Sequence, residues 1–167
     1  MSSKLPPGTS LADPPILLAT WFGVGLLPGA AGTWASAAAL PLAWFIHLGG
    51  GRPGLLAASA VVFALGVWCA SIYIAKSGAE DPGPVVIDEV LGQWLTLLAA
   101  DREVASYATA LVLFRIADIW KPWPVSWADR RLKGGWGVMI DDAIAAAYAA
   151  LGLLALQALA RGLGVLP

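Results

Sequence analysis

Long apolar runs separated by short polar turns set the pattern of this chain. Residues 55–75 (LLAASAVVFALGVWCASIYIA) pass 21 positions without a charge, and about 20 apolar residues in a helix suffice to cross the hydrocarbon core of a bilayer. Residues 34–48 form a second run, mildly broken by Pro41, and a Gly-rich turn at 49–54 with Arg52 and Pro53 separates the two. A third run follows Asp81-Pro-Gly-Pro84, whose prolines mark a helix start rather than an interior. Asp88 and Glu89 fall in its first turn, and only 90–100 is uninterrupted. After Asp101-Arg102-Glu103, residues 104–120 return as a helix with Arg115 and Asp118 in its last turns. The final run, 138–160, opens on Asp141 and Asp142. The runs at 85–100 and 104–120 are short for spans and read as a hairpin with charged ends at the membrane interface. The pattern predicts an all-α polytopic membrane protein of four to five inserted helices, preceded by a short interfacial segment at 16–22 (ILLATWF).

Residues 1–15 read as a flexible, Pro-rich tail, and 16–167 as a single membrane-embedded domain. No apolar stretch precedes residue 16, so insertion is expected from the spans themselves rather than from a secretory signal. Residues 23–33 (GVGLLPGAAGT) hold four glycines and Pro28. They predict a helix-breaking turn whose glycines would also let backbone N–H groups approach an anion closely. No Gly-Lys-Ser/Thr step follows, so this is not a nucleotide-binding P-loop.

Composition sharpens the class. The chain is 59% hydrophobic and 13% charged, with a mean hydropathy of +0.74, outside the range of ordinary soluble domains. A net charge of −1 gives no pull toward nucleic acid. The one cysteine, Cys69, lies inside an apolar run, which excludes an intramolecular disulfide and a Cys-cluster metal site. If the spans alternate, Lys4, Lys76, Arg115, Lys121, Arg130, Arg131 and Lys133 share one face, with Arg52, Arg102 and Arg161 opposite. Seven against three makes the first face cytoplasmic. Trp21, Trp34, Trp120, Trp123, Trp127 and Trp136 are expected beside it as an aromatic belt.

The same alternation brings the Gly-rich turn, Asp88-Glu89, Asp118 and Asp141-Asp142 to one membrane surface. Between Phe114 and Asp142 lies a polar island with five of the ten Lys and Arg residues and four of the eleven acids. Ionisable residues beside a membrane are costly and point to function. Carboxylates gathered without His or Cys suit a hard divalent cation such as Mg²⁺, which is bound through one or two carboxylates, waters and substrate phosphate. Arg and Lys suit the remaining phosphate oxygens. On a helix, Arg115, Asp118 and Lys121 stand three apart and share a face.

Several phosphoryl chemistries are excluded. Cys69 is mid-run, the one histidine (His47) sits at the opposite end of the first span, and no Asp-x-Asp pair exists for an aspartyl-phosphate. What remains is metal-assisted attack by water, with a carboxylate as base and Lys133 or a metal-bound water protonating the leaving alkoxide. A membrane lipid kinase or phosphotransferase would use the same residue types. A non-enzymatic ion-coupled carrier would place its charges nearer the midplane.

Three blocks carry a resemblance: FGVGLLPGAAGTWAS (22–36), DPGPVVIDEVLGQWLTL (81–97) and FRIADIWKPWPVSWADRRLKGGWGVMIDD (114–142). Together they cover somewhat over a third of the chain. They resemble the phosphatidylglycerophosphatase A family, bacterial inner-membrane enzymes that release phosphate from phosphatidylglycerol phosphate in phospholipid biosynthesis. The resemblance implies Mg²⁺ dependence, a bilayer phospholipid substrate and an active site facing the cytoplasm. It implies Asp88, Glu89, Asp118, Asp141 and Asp142 as catalytic acids, with Asp88, Glu89, Asp118 and Asp142 as metal ligands. Gly32, Thr33, Arg115, Lys121, Arg130 and Lys133 follow as substrate-binding or supporting residues. Lys133-Gly134-Gly135 stands where the family commonly has His-Gly-Gly, which implies a fixed cation rather than a proton shuttle. Leu27-Pro28 and Ala31-Gly32-Thr33 stand where it often has Ser-Pro and Pro-Gly-Thr.

Overall fold

The computed structural model describes residues 5–164, which contain helices and no strand. The helices are α1 (Pro14–Ala19), α2 (Ala31–Ser77), α3 (Ile87–Leu97), α4 (Val104–Trp120), α5 (Val125–Arg131) and α6 (Gly134–Gly162). Lys4, counted in the charge asymmetry, lies outside the described residues. Part of the N-terminal tail is built in. Thr9 Oγ1 donates to the Pro6 carbonyl at 2.7 Å, and the Ser10 N–H to Asp13 at 2.9 Å, in turns that lead into α1.

α2 is two helices joined at Gly51, whose φ of 61° and ψ of −163° lie in a region open essentially to glycine. Pro53 follows at once, at the start of the second half, where its missing N–H costs nothing. Both outer ends of α2 reach the same end of the molecule: Gly32 abuts Glu89, and Glu80, just past Ser77, pairs with Lys133. The Gly51 turn lies at the other end, where Arg52 and Arg161 both meet Asp101, at 3.4 and 3.1 Å. The first two predicted runs, 34–48 and 55–75, are these antiparallel halves.

The inward faces follow helical spacing. Ala35, Ala39, Ala43 and His47 are buried in the first half of α2, and Leu55, Ser59, Val62, Gly66, Cys69 and Tyr73 in the second. In α6 the buried row runs Asp142, Ala146, Ala149, Leu153, Gln157. Small residues let the helix axes come close. Many large apolar residues point outward instead, among them Phe45, Leu56, Val61, Leu65, Trp68, Leu151, Leu154 and Leu159. That is the reverse of a water-facing helix, which turns its large apolar side chains inward.

α3 is short and enclosed by its neighbours. At 11 residues it is about 16 Å long, and eight of its eleven residues are buried. Its apolar run packs against α2, α4 and α6 rather than facing outward. Gly92 permits this, because a Cβ there would fall 2.3 Å from the Phe114 ring on α4 and 3.2 Å from the Asp142 carbonyl on α6. By length and apolar composition, α2, with its two antiparallel halves, and α6 are candidates to cross a membrane.

The Gly-rich turn packs against the segment that leads into α3. Gly25 is buried, with the Pro84 carbonyl where a Cβ would sit, and the Val86 N–H donates to the Ala19 carbonyl at 2.8 Å. At Gly25 the turn clamps the entrance to α3. Trp21 belongs to the core, edge-on to Trp94 at 6.1 Å. The other five tryptophans of the expected belt are exposed.

Candidate active site

A cleft of about 430 Å³ opens where the start of α3, the end of α4, α5 and the start of α6 meet. Eight carboxylates line it (Glu80, Asp81, Asp88, Glu89, Asp118, Asp129, Asp141, Asp142) against three cations (Lys121, Arg130, Lys133). Each predicted acid is there because its position in a helix aims it inward. Asp88 and Glu89 start α3, Asp118 sits in the last turn of α4, and Asp142 heads the buried row of α6.

At the base, one oxygen from each of Asp88, Glu89 and Asp142 comes together, all within 4.8 Å of one another. Asp88 Oδ1, Glu89 Oε2 and Asp142 Oδ2 are buried and have no hydrogen-bond partner. Such a gathering of like charges is stable only with a cation or with protons among the oxygens. Unpartnered carboxylate oxygens, with no His or Cys among them, fit a hard divalent ion such as Mg²⁺.

Asp118 and Asp141 are close by but anchored differently. Asp118 neighbours Asp142 and ion-pairs with Arg115 Nη1 at 2.7 Å, and Arg115 also lies 3.8 Å from Glu89. The three-residue spacing on α4 therefore does what the sequence predicts. The next step does not continue it. Lys121 ends α4 in a left-handed conformation (φ 47°), which turns its ammonium away to Asp129 and to Asp141, at 2.9 Å from the latter. Burial works against the Lys121 charge, but these two carboxylates hold its pKa well above the usual lysine value.

Gly32 does not line the cleft. A Cβ on it would lie 2.0 Å from Glu89 Oε1 and 2.9 Å from Arg115 Nη1, so its bare backbone makes room for the Glu89–Arg115 pair. Thr33, half-buried, lies outside the lining as well. Lys133 is at the exposed rim, where its hydrogen bond to Glu80 at 2.8 Å raises the lysine pKa and lowers that of the glutamate. A lysine so held is a poor proton donor to a leaving alkoxide. His47 is far from the cleft, buried against the Tyr107 hydroxyl at 3.0 Å.

Sequence reasoning missed Asp129, Glu80 and Asp81. Asp129 is reached by Lys121 across the α4–α5 corner, eight residues on, a spacing no helical period links. Glu80 meets Lys133 over 53 residues, which only the packed fold brings together.

The family described as Phosphatidylglycerophosphatase A matches residues 17–157. Phosphatidylglycerophosphatase A of Escherichia coli (strain K12) is 39% identical over 84% of this chain and 81% of its own length. Its namesake in Haemophilus influenzae is 38% identical, over 89% of this chain and 91% of its own. A provisionally named phosphatidylinositol-3-phosphatase of Bacteroides thetaiotaomicron is 39% identical over 80% of this chain and 87% of its own. No solved structure matches the chain. With the family model matching most of the chain and relatives at 38–39% identity covered over most of their length, this chain belongs to the phosphatidylglycerophosphatase A family.

Proposed function

We propose that the protein hydrolyses the terminal phosphomonoester of phosphatidylglycerol phosphate, giving phosphatidylglycerol and inorganic phosphate, at the cytoplasmic face of a bacterial inner membrane. One observation carries this reading. Asp88, Glu89 and Asp142, from two helices and each with one buried oxygen that has no hydrogen-bond partner, converge in one cleft, in a chain with relatives named for this reaction. The outward-facing large apolar residues of α2 and α6 support a bilayer around the cleft. With eight carboxylates against three cations, the cleft repels a phosphomonoester dianion unless added positive charge compensates.

Asp88, Glu89 and Asp142 would hold a Mg²⁺ ion. Bound there, it supplies Lewis-acid polarisation of the phosphoryl group and offsets its charge. Arg115 keeps Asp118 and Glu89 in place from behind. Asp118, beside the triad but not part of it, is positioned to accept a proton from attacking water. Lys121, fixed as an ammonium by Asp129 and Asp141, faces the cleft and meets phosphate oxygens there. Burial of the acids keeps bulk water from screening these interactions.

The Bacteroides relative's name favours a second lipid, phosphatidylinositol 3-phosphate, within the same chemistry. Phosphate release by purified protein in detergent tests both, comparing the two lipids with and without Mg²⁺. Release from phosphatidylglycerol phosphate that stops in chelator supports the reading. No release, or release undiminished in excess chelator, refutes it.

A further inference from the structure

Arg130 stands apart among the cations of the cleft. Lys121 is held by Asp129 and Asp141, and Lys133 by Glu80. Arg130 lines the same cleft, is exposed, and has no acidic partner among the described residues. In a cleft with so many carboxylates, an arginine left unpaired at the mouth is the one cation whose full charge is available to a ligand. It lies in the last turn of α5, three residues after exposed Trp127 and on the same face. Exposed tryptophans beside a bilayer mark the head-group level. Arg130 is therefore at head-group depth, while the carboxylate triad is buried at the base.

The lipids named for the relatives share one feature. In each, a phosphodiester joins the diacylglycerol to a polyol, and the monoester is carried further along that polyol. A substrate whose monoester reaches the base leaves its diester at the mouth, still tied to the bilayer by its acyl chains. We propose that Arg130 holds this phosphodiester, as a bidentate fork on its two free oxygens, and so selects diester-linked lipids over phosphatidic acid. This rests on the phosphatase reading above and specifies how its substrate is chosen.

The test compares wild type, Arg130→Gln and Arg130→Lys in detergent. It measures KM and kcat for phosphatidylglycerol phosphate and the inhibition constant of phosphatidic acid as a competitor. Competition reports phosphatidic acid affinity whether or not that lipid is turned over. Because Arg130 is exposed, all three proteins should melt alike. Arg130→Gln is expected to raise KM roughly tenfold, the value of a charged hydrogen-bonded contact at a partly hydrated site. Its kcat should stay within twofold, the phosphatidic acid constant should move less than twofold, and Arg130→Lys should recover part of the loss. Both constants rising by one factor would mean that Arg130 holds the monoester. Neither rising, or kcat falling alone, would equally overturn the assignment, and each of these results leaves the phosphatase reading intact. A wild type that releases no phosphate defeats that reading instead.

Discussion

Replacing Gly32 by alanine separates the role of the α2 start from that of the acids. The new Cβ would sit 2.0 Å from Glu89 Oε1 and 2.9 Å from Arg115 Nη1. Both are side-chain ends, so the protein can relieve the clash by swinging Glu89 aside rather than by opening the helix packing. Glu89 Oε1 must retreat by about 1.4 Å to reach ordinary contact, and a displacement of even about 1 Å near the chemistry costs on the order of 100-fold in rate. The carboxyl group also leaves a cluster now held within 4.8 Å. Disturbing such a group costs about 10–100-fold in metal affinity. Alanine meanwhile favours the helix by about 0.5–1 kcal/mol, so stability should change by no more than about 1 kcal/mol. The assay is phosphate release against Mg²⁺ concentration, alongside thermal unfolding in the same detergent. A folded Gly32→Ala protein with a low rate and a raised Mg²⁺ requirement is expected. Wild-type activity at wild-type Mg²⁺ would refute the reasoning, and so would an unfolded protein.

Three further outcomes follow from the same geometry. Asp88→Asn should cut turnover at least 100-fold yet leave the metal-free protein as stable as wild type or more so. It removes one of three mutually repelling buried carboxylates, and melting curves in chelator check it. Lys121→Met should destabilise by about 1–3 kcal/mol, because it strands Asp141 and Asp129, the first of them buried. The folded lysine pKa is raised, so this contribution is complete below the ordinary lysine value and is lost only as pH rises through the raised one. Unfolding curves at pH 9, below the raised lysine value, should therefore show a gap between wild type and variant. Gln93, fully buried with neither amide atom hydrogen-bonded, should accept methionine. Gln93→Met is expected to hold or raise the melting temperature, since it removes a desolvated polar group worth about 1–3 kcal/mol.

Much of this architecture was legible in the residue pattern. The two halves of α2, and α4 from Val104 to Trp120, fall where the apolar runs and their glycine, proline and charged boundaries put them. The convergence of Asp88, Glu89, Asp118, Asp141 and Asp142 also followed from the runs alternating in direction. What the pattern concealed has a physical reason in each case. An apolar run shows that a segment avoids water, not whether lipid or protein surrounds it, so the run at 85–100 gave no sign that neighbouring helices cover α3. Glycine in a loop is equally compatible with holding an anion and with tight packing, and only the Pro84 carbonyl beside it shows that Gly25 serves packing. Trp21 is chemically indistinguishable from the exposed tryptophans until Trp94 is seen beside it. Ion pairs across corners, such as Lys121 with Asp129, depend on a positive φ at Lys121 that no local rule anticipates for a lysine.

The central claim is that Asp88, Glu89 and Asp142 together bind a divalent cation on which lipid-phosphate hydrolysis depends. Titrating Mn²⁺, as a paramagnetic stand-in for Mg²⁺, into purified protein and following the free ion by EPR addresses it without reference to turnover. The account predicts a saturable site in wild type that Mg²⁺ displaces and that weakens at least tenfold in Asp142→Asn. Identical binding curves for the two proteins would contradict it.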